Sequence, residues 1–106
     1  MAAYLVAFVE IKKPETFGAY VAKSSAIIAE FGGKILARGG ETVTLEGEPF
    51  SGRAVLIEFP SLDQIKAFYT SASYQEAKRL RDGIATARLI GLQGLPITAR
   101  SKGSHV

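Results

Sequence analysis

Five side chains in this 106-residue chain carry reactive or ligand-holding groups where an apolar pattern is interrupted: Arg38, Glu58, Tyr69, Tyr74 and Arg81. Arg38 closes the run "KILAR" and is followed at once by Gly39-Gly40. A guanidinium there can grip a carboxylate or a polarised carbonyl through two parallel hydrogen bonds, which makes it the candidate anion anchor. Glu58 sits inside "RAVLIEF". A carboxylate among apolar neighbours acts as a general base when burial raises its pKa, and as an ion-pair partner when an arginine beside it lowers it. The stretch "FYTSASYQEAKRLRDG" supplies the other three, with Tyr74, Lys78 and Arg81 on one helical face at spacings of four and three. Tyr69 and Tyr74 suit core positions with their hydroxyls at a rim, where a phenol beside an arginine orients an oxygenated ligand.

Other chemistries are removed by what the chain lacks. It has no cysteine, and its one histidine, His105, is in the C-terminal tail. Disulfides, thiolate nucleophiles, a serine–histidine triad and a histidine-rich metal site therefore cannot be assembled within the folded part, and no metal or cofactor is expected. "ARGGE" lacks the length and the lysine of a phosphate-binding loop, and no strand–GxGxxG–helix unit is present for a dinucleotide. The net charge of +3 arises from scattered residues apart from "KRLR" at 78–81, so no nucleic-acid surface is expected. The apolar start "AAYLVAFVEI" lacks a basic leader and is too short to cross a bilayer; it reads as a strand, with no membrane partner and a cytoplasmic location as the default.

The elements that must hold these residues follow from the pattern. Residues 3–11 read as a strand, and Pro14 opens a helix with Phe17, Val21, Ser24, Ile28 and Phe31 on one stripe, flanked by Tyr20 and Ile27 and stopped by Gly32-Gly33. A second strand, 34–38, is broken by Gly39-Gly40 and continues as an extended arm to Leu45. One of those two glycines is expected at positive φ or in a tight bulge. The third strand is 53–59. Ser61 caps the next helix, Ser73 caps a short one with Ala77, Leu80 and Ile84 towards the core, and "TARLIGLQG" is the fourth strand. This order, βαββαβ, predicts a ferredoxin-like domain over 1–95: a four-stranded antiparallel sheet with both helices on one face. Residues 96–106 read as a flexible polar tail.

The second face of that sheet is also apolar. Strand one alternates Tyr4, Val6, Phe8, Glu10 with Leu5, Ala7, Val9, Ile11, and neither set is polar enough to face water, which predicts a homodimer joined sheet to sheet. Placing Val55, Ile57 and Phe59 against the helices leaves Glu58 on the other face, and simple alternation places Glu10, Arg38 and Arg88 there with it. Arg38 and Glu58 would then meet either as a structural ion pair or as parts of a ligand site between the sheets.

Taken with their spacing, "ARGGE", "LEGE", "VLIEFPS" and "FYTSASYQEAKRLRDG" resemble the family known as domain of unknown function thirteen-thirty, of the dimeric α+β barrel superfamily, over residues 3 to about 93. The resemblance implies a dimer whose sheets enclose a cavity. It implies no particular reaction, since the superfamily includes cofactor-free monooxygenases, haem-degrading enzymes and small-molecule binders. The expected function is thus a homodimeric small-molecule-binding protein, with cofactor-independent catalysis on an oxygenated organic substrate as one use of the cavity. The alternatives are a non-catalytic binding or stress-response module and a purely structural dimer.

Overall fold

Residues 2–96 are described by the computed structural model, and their elements run β1 (Ala3–Ile11), α1 (Pro14–Glu30), β2 (Lys34–Arg38), β3 (Arg53–Phe59), α2 (Leu62–Thr70), α3 (Ala72–Lys78), a 3-10 turn at Arg79–Arg81 and β4 (Ala85–Gln93). The tail expected to be polar and flexible lies, from residue 97 on, outside the described residues. The strands form one antiparallel sheet in the order β2-β3-β1-β4. This is the ferredoxin-like arrangement, with all the helices on one face.

Local chemistry explains the boundaries. Pro14 stands in the first turn of α1, where its missing N–H costs nothing, and Glu15 there complements the helix dipole. The helix ends in a Schellman motif: Gly33 N–H donates to the Ile28 carbonyl at 2.9 Å and Gly32 N–H to the Ala29 carbonyl at 3.0 Å, with Gly32 at φ +82°. Ser61 caps α2, its Oγ accepting from Gln64 N–H at 3.1 Å. The cap of α3 is Ser71 rather than the expected Ser73: Ser71 Oγ accepts from Tyr74 N–H at 3.1 Å and donates to the Phe68 carbonyl at 2.7 Å. One side chain therefore closes one helix and opens the next, so α3 starts two residues early and turns Leu80 outward to 41% exposure, away from the core expected for it.

Ala3, Leu5, Ala7 and Val9 of β1 point into the helix layer, where Ile57, Phe59, Ile65 and Phe68 meet them. Phe68 is the hub, with ring centroids 4.5 Å from Tyr74, 5.4 Å from Phe59 and 6.1 Å from Phe31. Burying a side chain of this size contributes roughly 1.5–3 kcal/mol. On the other face, Phe8, Leu36, Ile90 and Leu92 are exposed, and Tyr4, Val6 and Leu56 are half-buried.

Strand β2 departs from simple alternation. Ile35 stands opposite Ile57, but Ala37 is opposite Leu56 and Arg38 opposite Val55, so Leu36 is an extra residue, a β-bulge. Beyond the bulge the parity inverts, and Arg38 shares the helix side with Val55 instead of the open side with Glu58. The strand also stops there: residues 39–52 form an exposed loop, not an extended arm to Leu45.

Candidate functional site: a cationic cleft between sheet and helices

The bulge delivers Arg38 to α1. Its Nη1 donates to Ser25 Oγ at 2.8 Å, and Ser25 Oγ donates in turn to the Val21 carbonyl at 2.7 Å. Gly39 follows at φ +69°, as expected for one of the two glycines, and its N–H still reaches the Ala54 carbonyl at 3.1 Å. The glycine is needed twice over: a Cβ there would be strained, and it would lie 2.9 Å from Arg53 Nε. Gly39 thus makes room for a second arginine, whereas a Cβ on Gly40 would meet nothing. Arg53 opens β3 opposite Val9, on the helix side, with its guanidinium 5.9 Å from the centre of the Phe17 ring.

A third arginine enters from the 3-10 turn. Arg81 is only 8% exposed, lies 5.5 Å from the centre of the Tyr20 ring, and its Nε is buried without a hydrogen-bond partner. Burial alone would lower its pKa, but the Tyr74 and Tyr20 hydroxyls outweigh that and hold it above the ordinary arginine value, so it stays charged. The two phenols are bonded to each other at 2.8 Å and tie α1 to α3. Burial first, and then Tyr74 beside it, push the Tyr20 phenol well above its usual pKa despite the opposing effect of Arg81. Tyr20 therefore remains protonated at neutral pH and is not poised as a base.

Together these groups line a narrow cavity of about 60 Å³ whose floor is Leu5, Ala7 and Val9 of β1 and whose walls include Phe17, Tyr20 and Tyr74. A second, wider cavity of about 510 Å³ adjoins it between α2, α3 and β4. Leu5, Ala87, Leu89 and Arg81 belong to both. Tyr69 lies in the second cavity, with Lys78 Nζ 5.6 Å from its ring centre, and Lys66 is nearby in the wall. Neither lining contains an aspartate, glutamate, histidine or cysteine. Among the described residues no group of three or more such side chains could hold a metal ion, and no helix is long and apolar enough to cross a membrane.

Of the residues singled out from sequence, Arg38, Tyr74 and Arg81 meet in the first cavity, Arg81 and Tyr69 in the second, and Glu58 in neither. Glu58 faces the open side of the sheet, opposite Lys34 on β2 and Tyr4 on β1, and accepts a long bond of 3.4 Å from the Tyr4 hydroxyl. The expected meeting of Arg38 and Glu58 does not occur, because the Leu36 bulge separates them by the thickness of the sheet. Glu10 and Arg88 are both on the open face, as simple alternation predicts, and exposed; Glu10 is near the end of β1, but Arg88 is inside β4, opposite Phe8. Sequence reasoning passed over Arg53, Tyr20 and Ser25. A signal for Arg53 existed: it has the same parity as Val55, Ile57 and Phe59.

A ferredoxin-like domain with a basic, base-free cleft under its helices is the class these features define. The chain belongs to the family described as Domain of unknown function (DUF1330), whose match runs over residues 2–95. No curated protein is significantly similar to it. Among solved structures it is similar to a protein of unknown function from Rhodopseudomonas palustris (TM-score 0.72, 22% identity, covering 90% of this chain and 83% of that one). It is also similar to SnoaB, a cofactor-independent oxygenase from Streptomyces nogalater (0.64, 11%, 90% and 94%), and to a dimeric ferredoxin-like protein of unknown function from Bacteroides fragilis (0.60, 12%, 88% and 96%). At these identities the likeness is one of fold.

Proposed function

We propose that this protein binds a small organic anion, a carboxylate or an acidic enol on an apolar stem, in the cleft between the sheet and α1–α3. The observation that carries this reading is the set of three arginines, Arg38, Arg53 and Arg81, converging on one cavity without a carboxylate in its lining. The only ion pair among the described residues is Lys23–Glu76 at the surface. Gathered cations without counter-charge cost stability unless an anion from outside compensates them. The narrow cavity has room for a carboxylate and a short stem.

Binding, rather than turnover, is the reading favoured by the side chains. Tyr20 is held protonated, and no acid–base group titrating near neutrality lines the cleft. Glu58 stands on the wrong face to act there. If turnover occurs, as in the cofactor-independent oxygenase of similar fold, the substrate must bring its own acidity, with the arginines stabilising the anion formed. A homodimer is part of the proposal, with a second copy covering the open face where Phe8, Ile90 and Leu92 are exposed.

Calorimetric titration with octanoate and with its neutral amide tests the charge requirement. Octanoate is expected to bind, its amide to bind at least tenfold more weakly, and Arg81→Met to bring the two together. Equal binding of acid and amide, or no binding of either, overturns the reading. Light scattering giving the mass of one chain at micromolar concentration overturns the dimer.

A further inference from the structure

The second cavity carries more than spare volume. We propose that the ligand is an elongated dianion that threads both cavities, with one acidic group held by the arginines and the other by Lys66 and Lys78. The inference rests on the anion-binding reading above and extends it from the anchoring group to the whole ligand.

Continuity comes first. Leu5, Ala87 and Leu89 form a shared floor, and this floor is apolar, so what crosses it should be hydrocarbon. Arg81 stands at the junction. Its side chain is more than nine-tenths buried, it lines both cavities, and its unpartnered Nε marks a place where a hydrogen-bond acceptor is missing.

Charge comes second. The wider cavity repeats the arrangement of the narrow one: Lys66, Lys78 and Arg81 are in its wall, no carboxylate is, and one cation lies over an aromatic ring. Glu76, two positions before Lys78 in sequence, is paired with Lys23 on α1 at 3.8 Å and is not in this wall. A single carboxylate held by the arginines leaves Lys66 and Lys78 in this wall without an acidic partner; a second acidic group on the same molecule supplies one. At about 510 Å³ the cavity accommodates a chain or ring of ordinary metabolite size.

A matched series settles this: monocarboxylates and α,ω-dicarboxylates of six to twelve carbons, titrated calorimetrically into the full chain and into Lys66→Gln/Lys78→Gln. At one span of lengths the diacid is expected to bind at least tenfold tighter than the monoacid of equal length, and the double variant should reduce that ratio to near one. Lys12→Gln, outside both cavities, should keep the ratio. If the monoacids bind and no diacid exceeds its partner by more than threefold, or if the advantage survives in the double variant, the threading inference fails while the anion-binding reading stands. If no acid in the series binds, both fail.

Discussion

The covered and open faces of this sheet both carry charge among apolar residues, with opposite logic. On the open face the signs are mixed: Glu58 has Lys34 opposite it on one side and Tyr4 on the other, and Arg88 and Glu10 share the same end of the sheet. Such a face carries both signs, so a second copy laid on it can meet each charge with its opposite as well as cover the apolar residues between them. Under the helices the sign is single, with Arg38 and Arg53 from the strands and Arg81 from the turn. A one-signed cavity is completed only from outside. The comparison assigns the proposed self-association to one face and the proposed ligand binding to the other, and one bulged residue, Leu36, puts Arg38 on the second.

The strongest way to break the comparison is to remove an aromatic from each face. Phe68 is fully buried against three rings, and Phe68→Ala should cost about 3–5 kcal/mol, read as a lower urea midpoint. Phe8, on the open face at 37% exposure and edge-on to Phe50, should lose less than about half of that in Phe8→Ala. If a second copy covers it, the loss should shrink as the protein is diluted, because the interface part of it disappears when both proteins dissociate. Equal, concentration-independent losses would mean that the open face is not an interface.

The next test moves one arginine between faces. Inserting one alanine between Ala37 and Arg38 keeps the bulge, advances Arg38 by one register position to stand opposite Ala54, and so turns it to the open side. Octanoate affinity should then fall about tenfold, matching Arg38→Met, since each loses one charge-assisted contact at a partly exposed position. An affinity unchanged by the insertion, in a protein that still folds, would show that Arg38 takes no part in binding. The same geometry predicts that Arg38→Met and Glu58→Gln act independently on stability, with a coupling below about 0.5 kcal/mol in a double-mutant cycle.

Much of the fold was legible because its signals are local. Pro14, Gly32-Gly33 and Ser61 announce helix ends through their own backbone chemistry, and the two-sided apolarity of β1 is visible in alternation alone. The bulge was not legible. "KILAR" alternates as a regular strand would, and only the register with β3 shows that Leu36 has no partner. That one residue inverted the expected side of Arg38 and hid its neighbour in space, Arg53, which is 15 positions further along the chain. Ser71 and Ser73 could not be separated either, because both are good caps and the choice depends on where Tyr74 must point to meet Tyr20.

The smallest effect expected is also the one that bears on catalysis. The folded-state pKa of Tyr20 is raised above its unfolded value of about 10, mainly by burial. Below pH 10 both states hold the proton and stability is unaffected; above it the unfolded chain releases the proton while the fold retains it, so stability declines as pH rises. Tyr20→Phe removes this decline at a cost of about 1 kcal/mol at neutral pH from the lost bond to Tyr74. Between pH 8 and pH 11 the native chain should therefore lose about 1 kcal/mol more than the variant in urea unfolding; other tyrosines and the lysines titrate in both proteins and cancel in the difference. Parallel curves would mean that Tyr20 ionises normally in the fold. The cleft would then contain a phenol of ordinary acidity beside Arg81, one that can give up its proton in mild alkali, and the case for binding without turnover would lose a support.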